Sequence, residues 1–477
     1  MFFHYVKYEG LQLIRNRWAV VLLIVFVVLC LFAVSNGTGK VTLRKAETET
    51  AVNTMREADE VHKAKIDSLE KGLLSLEDDG WRRRLNYIGN RAPRVAVMPP
   101  ASLAFLATGQ SDLYPHTMKA YLYVNIETYA ASFTELSNPV QLMFGSFDLA
   151  FVLIYLLPLL VLAFSYNLLS EEKEQGLLRL TLAQPVSLYG WLFNKMLLRF
   201  FLMTAIVWGS LIVALLVAGV SWSFGILPLL GLVTLYIFFW FAVALIVNVF
   251  GKTSGTNAVA VISVWTVLVL LLPAVISQLA NNLYPVPSRV NMIHEMRTAK
   301  AEAEKEANKI LASYYRDHPE LAQQDTTVKN QYQFYLGYFA SQDVVKKSVA
   351  PVLEEYREKS EAQKQFVESF RFVSPALLLQ HALNDIAGTS SRHYEAYKNR
   401  VIAFTEEWRA WFLPRMFNNE LMSSSDFEKL PSFEYNYDEV ASSFAADFVA
   451  LLVFAVLLTG ISVWVYRKEG LEPVLTS

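Results

Sequence analysis

The chain of 477 residues is 54% hydrophobic and only 18% charged, too apolar for an ordinary water-soluble enzyme. Its formal net charge of −2 lacks the basic excess of a nucleic-acid binder, so no nucleic-acid partner is expected. A single cysteine, Cys30, excludes any disulfide within the chain, which must hold together by packing alone.

Residues 1–17 mix Phe2, Phe3, Tyr5, Val6, Leu11, Leu13 and Ile14 with Lys7, Arg15 and Arg17, and read as an amphipathic N-terminal segment. Apolar runs follow at 18–34, 147–169, 200–220, 224–250, 257–280 and 444–466. Each approaches the ~20 residues with which a helix crosses a ~30 Å hydrocarbon core. A lipid-exposed span must satisfy its own backbone, so these runs are expected to be helices. The fold class is therefore a mainly α membrane protein. Six transmembrane helices are expected: 18–34, 147–169, three within 200–280, and 444–466. Ala33-Val34-Ser35 has the small-x-small form of a leader cleavage site. The run before it is longer than a usual leader core, so retention as an anchor is expected.

Positive residues orient the spans. Lys7, Arg15 and Arg17 precede the first. Lys173, Arg179, Lys195 and Arg199 lie in the 170–199 loop, Lys252 in the 251–256 loop, and Arg467-Lys468 opens the tail at 467–477. Alternating six helices brings all four groups to one face. Both termini are thus expected to be cytoplasmic, with insertions 35–146 and 281–443 outside.

In the first insertion, residues 40–77 repeat Val41, Thr48, Val52, Met55, Val61, Ile66, Leu69 and Leu73 at three- to four-residue spacing, which predicts a long amphipathic helix. A loop with Pro93, Pro99, Pro100 and Pro115 follows. The stretch 121–126 suits either a strand or a helix. In the second insertion, 290–316 and 328–370 read as long helices broken around His318-Pro319, with mixed charges expected to form a solvated face. The simplest arrangement packs both insertions into one mostly helical extracytoplasmic domain.

Several patterns suggest chemistry. Phe250-Gly251-Lys252-Thr253-Ser254-Gly255 resembles the end of a phosphate-binding loop. The pattern needs a glycine where Ile246 stands, and a strand where an apolar helix is expected, so it reads as a short turn with a snorkelling lysine. His381 and Asp385, four residues apart, share a helix face near His393. A helix-surface hydrogen bond is the more common outcome than a metal site, and no metal is expected. Asp148 and Asp447 stand at the beginnings of apolar runs, where an interfacial position keeps their cost small. Pro158, Pro228 and Pro273 lie in or beside spans and predict kinks. No enzyme nucleophile motif is present, so the chain reads as non-catalytic.

The segment 170–199 is the most distinctive. Glu171, Glu172 and Glu174 set negative charge where positive residues are the rule, and Gly176 interrupts the helix leaving the second span. Leu177, Leu178, Leu180 and Leu182 form an apolar ridge before Gln184-Pro185 begins a new turn. A short surface helix that docks a protein partner is expected, the other reading being a re-entrant amphipathic connector.

The residues Glu172, Glu174, Gly176, Leu177, Leu180, Pro185, Val186, Ser187 and Lys195 resemble the signature of ABC transporter permeases of the ABC-2 type, departing at Leu177, where family members often carry Thr. Asn138-Pro139, Gly145-x-Phe147-Asp148-x-Ala150-Phe151 and Pro158-Leu159 resemble a subgroup with a large extracytoplasmic domain of uncharacterised role. So do Ser374-Pro375-Ala376, Ala387-Gly388-Thr389 and Arg392-His393. The resemblance implies a permease subunit in a bacterial inner membrane, with Glu171, Glu172, Glu174, Gly176, Leu177, Leu180, Pro185, Ser187 and Lys195 coupling it to a separate ATPase. It also implies a second permease, itself or a paralogue, and leaves room for a periplasmic partner protein. ATP and Mg are expected in the ATPase, with no cofactor on this chain. Substrate export and force transmission on an outer domain both fit. The other class that fits is an ATPase-independent membrane receptor or scaffold with a helical ligand-binding ectodomain.

Overall fold

The computed structural model describes residues 15, 17–108, 114–123, 147–178, 188–219, 226–250, 253–286, 289–305, 331–437, 440 and 442–469. Helices dominate, and the described residues hold one two-stranded sheet. The expected N-terminal segment lies outside them, apart from Arg15 and Arg17. So do Asn138-Pro139, Gly145, Arg179, Leu180, Pro185, Val186, Ser187, Lys252, His318-Pro319 and the tail beyond Glu469.

The first helix, α1, runs unbroken over Arg17–Glu70, 54 residues and about 80 Å at 1.5 Å per residue. The span expected at 18–34 and the amphipathic helix expected over 40–77 join through Ser35-Asn36-Gly37-Thr38-Gly39 into this one helix. Tertiary contacts override the low helix propensity of those residues. Asn36 Nδ2 donates to the Phe147 carbonyl (2.8 Å), and Thr38 Oγ1 bonds back to the Val34 carbonyl (2.9 Å). Gly37 lets the chain at Phe105 press against the helix, for a Cβ there would sit 2.3 Å from the Phe105 carbonyl oxygen.

Next come α2 (Leu85–Arg91) and the antiparallel strands β1 (Arg94–Val97) and β2 (Thr117–Ala120), with Arg94 opposite Ala120. The ambiguous stretch at 121–126 thus begins just after a strand. The apolar run 147–169 forms only α3, Leu149–Ala163, including a π turn at Val152–Leu156. Its 15 residues rise about 22 Å, short of a ~30 Å core. Asp148 starts it, with Oδ1 accepting from Phe151 N (2.9 Å) and Oδ2 from Thr108 N (2.9 Å). The short α4 (Ser170–Glu174) follows. Beyond it lie α5 (Leu188–Val217), α6 (Ile226–Val249) and α7 (Ser254–Leu283). The final helix of this kind is α12 (Phe444–Glu469), after α8 (Arg289–Lys305), α9 (Gln333–Phe370), α10 (Pro375–Ile386) and α11 (Ser391–Phe417).

Five described helices are long and apolar enough to cross a membrane: α1, α5, α6, α7 and α12. Among them α6 is central. Its most apolar stretch is 67% buried against 17% for α7, so α6 is wrapped by protein while α7 presents most of its surface outward. Tyr236 and Trp240 lie fully buried on it.

The kinks expected at proline take a specific form. Pro158 lacks the N–H that would bond the Ile154 carbonyl four residues earlier; the Tyr236 hydroxyl of α6 donates to that carbonyl instead (2.9 Å). Pro273 follows a π turn at Thr266–Leu271, and the Leu268 carbonyl, five residues before it, accepts from Ser374 Oγ (2.7 Å). Pro228 falls in the first turn of α6, where its missing N–H disturbs nothing.

Residues from 66–122 and from 332–430 build one lobe, the polar lobe. Ile66 of α1, Leu85 and Ile88 of α2, Leu122, Tyr332, and Trp408, Phe412 and Met416 of α11 share a core. Each such large apolar side chain stabilises by roughly 1.5–3 kcal/mol on burial. Tyr332 ties the pieces together: its hydroxyl accepts from Leu85 N (3.2 Å) and donates to the Glu420 carbonyl (2.6 Å).

Candidate functional site

The chain leaves α3 through residues 164–169, and a helix end offers carbonyls with no internal donor. Three other helices supply donors. Arg199 of α5 donates to the Phe164 carbonyl (2.6 Å), Asn248 of α6 to the Ser165 carbonyl (2.8 Å), and Asn257 of α7 to the Tyr166 carbonyl (3.2 Å). Asn248 Oδ1 also accepts from Leu169 N (3.2 Å). All three side chains are buried. Three neighbouring helices thus grip three consecutive peptide groups.

The acidic segment sits on this junction. Glu172 Oε1 meets Lys195 Nζ of α5 at 2.5 Å, with side chains only 18% and 7% exposed. Glu174 turns to α7, whose first helical residue is Ser254. Its two oxygens accept from Ser254 N (2.8 Å) and Ser254 Oγ (3.0 Å). A carboxylate therefore occupies the positive end of α7, the place an anion takes at a helix N-terminus. Thr253 Oγ1 caps the same end by accepting from Thr256 N. The phosphate-loop resemblance thus resolves into a helix start already matched with Glu174. Glu171 stays local, accepting from Asn167 Nδ2 (2.8 Å).

Gly176 ends α4 with φ +71°, in the left-handed region that suits glycine. Gln175, Gly176 and Leu177 are exposed, Leu177 at 45%, while Leu178 is buried. The structure therefore gathers Glu172, Glu174, Gly176, Leu177 and Lys195 at one place and gives them different tasks. The carboxylates face neighbouring helices, and the tip at 175–177 faces outward. Lys195 lies not in a loop but in the second turn of α5, which begins well before the expected span at 200. Sequence reasoning missed Asn248 and Asn257, and took Arg199 only as an orienting charge and Ser254 only as part of a phosphate-loop resemblance. Asn248 carried a signal, a lone amide inside an apolar run.

A second polar cluster joins α10 to the start of α12. Asp447, fully buried, meets Arg371 Nε (2.9 Å) and His381 Nδ1 (2.6 Å). Asp385 Oδ1 accepts from Arg392 (3.0 Å), and its Oδ2 from the backbone of Ser443 (2.7 Å) and Phe444 (3.1 Å). His393 Nδ1 lies 2.6 Å from Ser390 Oγ instead. His381, Asp385 and His393 therefore part to separate partners. Among the described residues no three His, Cys, Asp or Glu side chains gather to hold a metal ion. Asp447 and Asp148 are both buried and hydrogen-bonded. Burial lowers the His393 pKa from its ordinary value, Asp385 opposing and Arg392 reinforcing the shift.

Residues 289–436 match a family described as a domain of unknown function, DUF3526. The match takes in α8 to α11, with Ser374, His381, Asp385 and Arg392, and stops short of both the junction at 164–199 and α12. No curated protein and no solved structure matches the chain.

Proposed function

We propose that this chain is the membrane-spanning permease subunit of an ABC-2-type transporter, driven by a separate ATPase that docks on the segment around residues 171–195. The supporting observation is the arrangement of the acidic segment. Its tip at Gln175–Leu177 is exposed, while directly behind it Glu172 holds α5 and Glu174 holds the start of α7. A push on such a tip moves two long apolar helices at once. In this reading ATP and Mg belong to the ATPase, and closure of its dimer drives the tip.

The motion continues along α7 to the Leu268 carbonyl, held by Ser374 at the start of α10. The apolar side chains of α10 pack with those of α6 and α12, while α9 leads from there into the polar lobe. The lobe lies outside the cell membrane and the termini lie inside. The chain works with a second permease, a copy of itself or a paralogue. Substrate export between the two, or force delivered through α1 and α7 to the lobe, both use this coupling.

The test is co-purification in detergent with a candidate ATPase. Leu177→Asp at the exposed tip is expected to abolish association while leaving the melting temperature of the permease unchanged. Gly176→Ala, which costs about 1–2 kcal/mol locally in the left-handed region, is expected to weaken ATPase stimulation. Retention of the ATPase by Leu177→Asp, or absence of any ATPase from the wild-type preparation, would hand the protein to the receptor reading.

A further inference from the structure

The polar lobe holds a cleft that none of these contacts explains. It measures about 270 Å³ and lies between α2 and the beginning of α9. Four aromatic side chains wall it: Trp81, Tyr87, Tyr123 and Tyr335. Trp81 meets Tyr87 edge-on (centroids 4.6 Å apart), and the Tyr123 and Tyr335 rings lie parallel to within 6°. These contacts keep the rings in place as flat, preformed surfaces.

The cleft's polar groups are unequal. Asn90 is occupied, donating to the Asn86 carbonyl (3.0 Å) and accepting from Tyr123 N (3.3 Å). Asn86 is 8% exposed, and its Oδ1 is buried without a hydrogen-bond partner. A buried acceptor left open costs about 1–3 kcal/mol. Arg84 and Arg91 stand at the rim, exposed, and among the described residues neither guanidinium is in an ion pair. The nearby arginines are already engaged: Arg82 with Asp79, Arg83 with Glu70, and Arg94 with Asp59. Two forks of N–H donors therefore flank an aromatic cleft that carries no carboxylate of its own.

We propose that this cleft binds a small monocyclic organic anion. The ring lies against the aromatic walls and the carboxylate takes Arg84 and Arg91. The volume falls just under the roughly 300–1,000 Å³ of common ligand cavities, which suits one substituted ring. An aromatic acid and an acidic sugar share this chemistry, since both offer a flat face, a carboxylate and hydroxyls.

The test is calorimetric titration of the full-length protein in lipid nanodiscs with 4-hydroxybenzoate and with glucuronate. The uncharged 4-hydroxybenzyl alcohol and glucose serve as counterparts. Saturable binding of at least one anion is expected, about ten-fold or more tighter than its neutral counterpart. The double variant Arg84→Gln/Arg91→Gln is expected to lose that margin with an unchanged melting temperature, because both side chains are exposed. Which anion binds assigns the ring as aromatic or carbohydrate. Failure of both anions to saturate, equal binding of neutral and charged probes, or undiminished binding by a folded double variant would each overturn the proposal. Should the double variant unfold, the charged-against-neutral comparison on the wild type still decides.

Discussion

The pair Glu172–Lys195 allows the junction to be probed quantitatively. Its side chains retain 18% and 7% of their exposure and approach to 2.5 Å, so neither charge is well solvated without the other. Breaking a buried pair by removing one member costs about 3–5 kcal/mol, because the remaining charge stays behind in a poor solvent. The residual access of Glu172 to water lowers the figure for Lys195→Met to about 2–4 kcal/mol. Glu172→Gln removes the ion-pair partner of the more enclosed Lys195, whose ammonium also stands over the Trp191 ring (5.1 Å), and a loss of similar size is expected. The double variant removes both charges and is expected to lose far less than the sum, giving a coupling of about 2 kcal/mol. The assay is equilibrium unfolding of the four proteins in mixed micelles, read as a double-mutant cycle. A coupling below about 0.5 kcal/mol would refute the reasoning. Glu172 would then act as an independent surface charge, with its value in partner binding alone.

Gly37→Ala should destabilise the contact between α1 and the chain at Phe105, because a Cβ 2.3 Å from a carbonyl oxygen forces backbone apart. Gly39→Ala, with nothing within 4 Å, should stabilise the helix by about 1 kcal/mol, and thermal melting distinguishes the two. Tyr236→Phe and Ser374→Ala each leave a carbonyl beside a proline turn without its donor, and each should cost about 1–3 kcal/mol in the same unfolding assay. Acidification should weaken the polar lobe through His393 and His62, whose pKa values burial holds below the ordinary 6.5. The unfolded chain then takes up protons first. The stability these groups contribute is present above pH 6.5 and is lost as pH falls from there through the lower folded values. Melting curves between about pH 7.5 and 5.5 should show it, and His393→Gln should reduce the slope.

Much of the helical order was legible because apolar runs report directly on helices that lack water to bond. α6 and α12 appear within a few residues of the expected 224–250 and 444–466. The close approach of Phe105 to Gly37 was not, since it joins residues far apart in the chain. Nor was the shortness of α3, because hydropathy continues through Leu168 and Leu169 although the helix has ended at Ala163 and the chain has turned. At the junction the sequence marked out the segment but not its contacts. Glu172 and Glu174 engage Lys195 and Ser254, partners 23 and 80 residues away.

By itself the sequence determined the helical class, most of the long apolar helices and the segment that stands apart from them, because those depend on composition and short-range period. Tertiary structure alone decided which polar atom answers which. That pairing depends on distances between residues far apart in the chain, from Tyr236 on Ile154 to Ser374 on Leu268 and Glu174 on Ser254. A buried polar group accepts whichever donor the packing brings to it, and no local pattern records that choice.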